Sequence, residues 1–81
     1  MTIEEAKKKA ESVISNDEYI YSIIDFKQYY VINTKPNKPS LKFIVEDKIA
    51  LDKNTGKWIA FNPLNVDMTG FEEARKNEVL F

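Results

Sequence analysis

The chain has 81 residues, a formal net charge of −1, 43% hydrophobic and 31% charged residues, and neither cysteine nor histidine. Its length predicts a single domain over residues 1–81, and its composition argues against disorder. Without thiol or imidazole it cannot build a disulfide, a cysteine- or histidine-based zinc site, or a nucleophile activated by histidine.

The chain opens with a segment that predicts a helix over residues 2–15. Thr2 followed by Glu5 is the spacing of a capping box, and the lysines at 7–9 are typical of a solvated helix face. An apolar stripe at helical spacing comprises Ile3, Ala6, Ala10, Val13 and Ile14. We expect this stripe to pack against Phe43, Val45 and Ile59.

Two strands follow the helix in the prediction. Glu18 to Phe26 and Gln28 to Thr34 are rich in tyrosine, isoleucine and valine, which suit a pleated surface. The polar break between them is short, so they should pair as an antiparallel hairpin. Residues 35–40 contain two prolines and predict a connecting loop.

The stretch from Leu41 to Phe61 predicts the rest of the sheet. Leu41 to Glu46 and Lys48 to Asp52 form one bent strand or two short ones, and Lys57 to Phe61 forms the last. The segment 52–56, which ends in Asn-Thr-Gly, predicts the turn between them, because glycine adopts left-handed backbone conformations without strain. The four-stranded antiparallel β-meander that results defines an α+β fold when the helix packs on it.

The tail is predicted to add a short helix. Thr69 and Glu72 repeat the capping-box spacing, which places this helix at about residues 70–77. The last four residues, Glu-Val-Leu-Phe, either dock on the core or fray.

Aromatic residues are the candidate binding residues. If the first helix covers one sheet face, the other face presents tyrosine and tryptophan rings, which are common in binding hot spots. We therefore predict Tyr21, Tyr29 and Trp58 as anchors for a protein partner. The alternative is that these rings pack in the core or beneath the tail. A second alternative is an accessory role on nucleic acid, using those rings with Lys38, Lys42, Lys53 and Lys57.

No spacing in the sequence predicts catalysis or cofactor binding. The oxygen-rich segment 52–56 lacks the glutamate that completes a calcium loop, and adjacent carboxylates point in different directions. We expect no catalytic residue, no metal, no cofactor and no enzymatic activity. Apolar runs are too short to cross a membrane and no signal-peptide core is present, so we expect a cytoplasmic protein. Homodimerisation through an open strand edge remains an alternative.

The helix that begins Ile3-Glu4-Glu5-Ala6, followed by strands and an Asp-x-x-Thr-Gly-Lys turn at residues 52–57, resembles two families. These are the PepSY-type repeats and the YrhB-type immunity proteins of bacterial toxin loci. The resemblance covers about residues 3–60 and implies a helix on an antiparallel sheet with a non-enzymatic, protein-binding role. Frequent lysine, isoleucine and asparagine are typical of a low-GC bacterium or its phage. The resulting hypothesis is a small, immunity-like interaction module that uses a sheet face or edge.

Overall fold

Two helices and a five-stranded antiparallel sheet make up the described part of the chain, which is residues 1–37 and 48–81 of a computed structural model. The elements in chain order are α1 (Ile3–Glu11), β1 (Glu18–Phe26), β2 (Tyr29–Pro36), β3 (Ile49–Asp52), β4 (Trp58–Ala60), α2 (Phe71–Arg75) and β5 (Val79–Leu80). The α+β class and both helices are therefore confirmed. The strand predicted from Leu41 to Glu46, with Phe43 and Val45, lies outside the described residues.

The sheet is a meander with one extra strand at its far edge. Strands β4, β3, β2 and β1 lie side by side in that order, and β5 pairs with the outer side of β1. In this pairing Val79 lies opposite Ile23 and Leu80 opposite Ser22. The predicted count of four strands is thus one too low, because the last residues dock as a strand instead of fraying.

Helix α1 covers one face of the sheet. The Thr2 hydroxyl accepts a hydrogen bond from the Glu5 amide at 3.2 Å, which confirms the predicted N-cap. The first hydrophobic cluster joins the helix to the sheet and is formed by Ala6, Ala10, Ile20, Ile23, Tyr30, Ile32 and Leu51. The helix ends at Glu11 instead of residue 15, so Val13 leaves the predicted stripe and is 51% exposed.

The segment after β4 covers the opposite face of the sheet. The second hydrophobic cluster comprises Ile24, Phe26, Val31, Ala50, Phe61, Val66 and Phe71. Ile59 packs on this cluster, so its predicted contact with α1 is wrong. The cap predicted at Thr69 is also wrong, since α2 begins after Gly70 and the Thr69 hydroxyl donates to Asp67 at 2.7 Å instead.

A β-bulge in β1 lets the strand serve both clusters. The pairing register with β2 shifts between Ile20 and Ser22, so that Tyr21 is an extra residue. Side chains of a regular strand alternate between faces, which would separate Ile20 from Ile23. With the bulge, both isoleucines lie in the first cluster beneath α1. The shift leaves Tyr21 beside the sheet edge where β5 docks.

Candidate protein-interaction edge

The three predicted aromatic anchors do not share a surface. Trp58 is partly buried against the first cluster, whereas Tyr29 is partly buried against the second cluster on the opposite face. Tyr21 is partly buried at the bulge, with the Lys35 ammonium 4.4 Å from its ring centre. The sheet face opposite α1 is not open, because the segment after β4 lies over it. For Tyr29 and Trp58, the alternative that the rings pack against the core is what the structure shows.

The lysines named for nucleic-acid binding are also dispersed. Lys53 forms an ion pair with Asp25, donates to the Lys27 carbonyl at 3.0 Å, and lies 4.5 Å from the Tyr30 ring centre. The Lys53 ammonium is thus engaged within the fold, where it links the turn after β3 to the turn after β1. Lys57 is exposed, and Lys38 and Lys42 lie outside the described residues.

The turn between β3 and β4 is organised by the Asp52 carboxylate. One oxygen accepts hydrogen bonds from the backbone amides of Asn54 at 2.7 Å and Thr55 at 3.1 Å. The hydrogen bond from Asn54 is the main cause that lowers the pKa of Asp52, with further help from Thr55 and Gln28. Gly56 closes the turn at φ 72°, in the left-handed region that the sequence predicted.

The lowered pKa of Asp52 predicts an acid-dependent loss of stability. A carboxyl group with a lower pKa in the folded state stabilises the fold above its unfolded pKa, and this stabilisation is lost as the pH falls through the folded value. In Asp52→Asn this contribution is missing at every pH. We therefore expect the difference in melting temperature between wild type and Asp52→Asn to shrink below about pH 4. A difference that stays constant between about pH 7 and about pH 2.5 would contradict this role.

The edge strand β5 presents apolar side chains to solvent. Leu80 is 70% exposed, and its neighbours Val79 and Phe81 are exposed as well. The Phe81 amide donates to the Tyr21 carbonyl at 2.9 Å, and its ring lies 4.5 Å from the Lys7 ammonium. Natural sheet edges usually carry charges or prolines that prevent further pairing. The apolar side chains of β5 depart from that rule.

A groove continues from this edge between α1 and the start of β1. It has a volume of about 370 Å³, and Lys7, Glu11, Ile14, Tyr19 and Ile20 are among the residues that line it. Lys7 belongs to both features, since it lines the groove and contacts the Phe81 ring. β5 pairs with Ser22 and Ile23, so the first residues of β1, Glu18 to Ile20, have no second neighbouring strand among the described residues. A strand that ran on past Phe81 would enter this groove.

A buried polar cluster holds the start of β5. The Ser22 hydroxyl donates to the Glu78 carboxylate at 2.9 Å, and the Asn33 amide nitrogen donates to Ser22 at 3.0 Å. Ser22 is 0% and Asn33 3% exposed, so both polar side chains lie inside a largely apolar sheet. Sequence reasoning missed this cluster. The available signal was one serine in the interior of β1 and one asparagine in β2, each next to an isoleucine.

No family model, curated protein or solved structure matches the chain. The resemblance to PepSY-type repeats and YrhB-type immunity proteins therefore stays a prediction. Across residues 1–37 and 48–81, no helix has the length and apolar character needed to cross a membrane. The same residues contain no group of three or more acidic side chains arranged to hold a metal ion.

Proposed function

We propose that this protein is a non-enzymatic interaction module that binds an extended segment of a partner protein at the edge formed by β5 and the start of β1. One observation carries the proposal. The outermost strand exposes Leu80 and its neighbours, and it points into a groove beside Glu18–Ile20, which has no second neighbouring strand among the described residues.

Strand addition explains how such an edge binds a peptide. The main chain of the incoming segment hydrogen-bonds to the free side of the edge strand, and adjacent pockets select its side chains. Here Tyr19, which is 45% exposed, and the partly buried Ile14 offer apolar contact, while Lys7 and Glu11, an ion pair at 4.0 Å, offer charges of both signs. The two sheet faces are less suited to this role, since α1 covers one and the segment with α2 covers the other.

The nucleic-acid alternative has less support than protein binding. Lys53 is engaged with Asp25, and Lys27 is engaged with Asp67 at 3.4 Å. A nucleic-acid surface requires cations that are available to phosphates. An immunity-like role in the bacterial cytoplasm, for a protein of bacterial or phage origin, fits the proposal, because an immunity protein acts by binding another protein.

A displayed library of random peptides tests the proposal. We expect selection on wild type to enrich extended peptides, and these should bind about tenfold more weakly to Tyr19→Ala, because tyrosine is among the residues enriched at binding hot spots. The control is Leu64→Ala, which removes a side chain that is 95% exposed and lies outside the groove. The selected peptides should bind it as they bind wild type. Failure to enrich any peptide, or equal binding to Tyr19→Ala, would contradict the proposal.

A further inference from the structure

The Glu78 carboxylate lies in a small receptor built from two strands. One carboxylate oxygen accepts hydrogen bonds from the Ser22 hydroxyl at 2.9 Å and from the Asn33 amide at 3.4 Å. Both donors are buried, and the hydrogen bond between them at 3.0 Å fixes their orientation. Hydrogen bonds to a charged group are stronger than those between neutral groups. The two donors therefore suit an acidic side chain that enters from the β5 edge.

The rest of β5 is held by few contacts. The strand has two residues, Val79 and Leu80, and both side chains are exposed. Strand β5 is held by its main-chain pairing with β1, and the Phe81 ring that follows it contacts Lys7. The segment is thus recognised through an acidic residue, an extended main chain, and an aromatic residue three positions later.

We infer that residues 78–81 act as a resident ligand, and that the partner segment replaces them by presenting a glutamate and, three residues later, an aromatic side chain. This inference rests on the proposed function and adds the chemistry of the partner. The partner strand would run antiparallel to β1, with its glutamate on Ser22 and Asn33 and its aromatic ring on Lys7. It would then continue along Glu18–Ile20 into the groove that β5 leaves open.

Replacement of β5 must overcome the tether of the resident segment, and two features of the site compensate for it. A tethered segment competes at a high effective concentration, so an incoming segment needs contacts that the resident one lacks. The groove beside Tyr19 and Ile14 supplies such contacts. In addition, the Asn33 side-chain oxygen is buried and has no hydrogen-bond partner in the described part of the chain. A donor on the partner segment would satisfy that oxygen, and buried acceptors gain stability when they are paired.

A labelled peptide with the sequence of residues 74–81, Ala-Arg-Lys-Asn-Glu-Val-Leu-Phe, tests the inference by fluorescence anisotropy. We expect it to bind the full-length Glu78→Ala chain about tenfold more tightly than wild type, because the resident strand then competes less well. The same peptide with alanine in place of its glutamate should bind Glu78→Ala about tenfold more weakly than the unmodified peptide does. Glu73→Ala, which changes an exposed glutamate of α2, is the matched control and should bind like wild type.

Hydrogen exchange of the wild-type chain gives a second measurement that needs no variant. An excess of an unlabelled peptide of this sequence, extended past its phenylalanine by residues that can reach the groove, should accelerate exchange of the chain's own Phe81 amide, which otherwise donates to Tyr21 at 2.9 Å. Equal binding of the alanine-containing peptide, or an unchanged Phe81 amide, would overturn the inference. Library peptides that bind the groove without an acidic residue would also overturn it, yet they would leave the proposed function standing.

Discussion

Phe26→Ala is expected to lower the free energy of unfolding by about 3–5 kcal/mol. Phe26 is buried at the end of β1, where its ring centre lies 5.2 Å from that of Phe71 and 6.1 Å from that of Phe61. Both contacts are near edge-to-face, a favourable geometry for aromatic pairs. The substitution removes both contacts and leaves a cavity between the sheet and the segment that covers it. Urea unfolding followed by circular dichroism measures the loss.

Two variants show whether the loss comes from the aromatic cluster. Phe26→Leu retains much of the side-chain volume and should cost less than Phe26→Ala, because the cavity is smaller. Phe81→Ala removes a phenylalanine that is exposed at the edge, so its cost should be far smaller. A chain of this length is expected to have a total stability of about 4–12 kcal/mol, so Phe26→Ala should remove a large fraction. A cost of Phe26→Ala no greater than that of Phe81→Ala would show that the second cluster contributes little.

The elements that the sequence predicted well are those with a local signal. The first strand was predicted from Glu18 to Phe26 and has those bounds in the structure. Its tyrosines and isoleucines favour an extended chain, and polar residues mark both ends. The turn at residues 52–56 also followed from local chemistry, because Asp52 accepts amides two and three residues ahead and Gly56 adopts a positive φ.

The second hydrophobic cluster had no comparable signal. Phe61 ends a predicted strand, Val66 lies in a polar, irregular segment, and Phe71 begins the predicted short helix, so no common spacing groups the three. Their contact with Phe26 and Val31 exists only after the chain folds back across the sheet. Without that contact the sequence leaves exposure and burial of the Tyr29 ring as open alternatives.

The candidate edge depends on two features that span long distances along the chain. The bulge at Tyr21 arises from the pairing register between β1 and β2, and no residue type in the sequence indicates it. The carboxylate receptor joins Ser22, Asn33 and Glu78, of which the first and last are 56 residues apart. Each is unremarkable by itself, since an isolated polar residue in a strand usually faces solvent. Only the sheet order, which places β5 beside β1, shows that they meet.

Leu51→Ala is expected to lower the free energy of unfolding by about 2–5 kcal/mol, through the cluster beneath α1 instead of the aromatic one. Leu51 lies in β3, is 0% exposed, and pairs in register with Tyr30 on one side and Trp58 on the other. Its neighbours in the first cluster include Ala6 and Ala10, whose small side chains hold α1 close to the sheet. The alanine side chain in Leu51→Ala therefore leaves a cavity. Helix α1 could fill this cavity only by moving as a whole toward the sheet.

The control for this substitution is Leu64→Ala, the same change at a side chain that is 95% exposed, where we expect an effect within about 0.5 kcal/mol. Trp58 packs against the first cluster, so its fluorescence reports on the Leu51 cavity directly. If α1 loosens, the groove wall that carries Lys7 and Glu11 loosens with it. Peptides selected on wild type should then bind Leu51→Ala more weakly than Leu64→Ala. Equal stability of the two variants would contradict the view that the first cluster fixes α1 against the sheet.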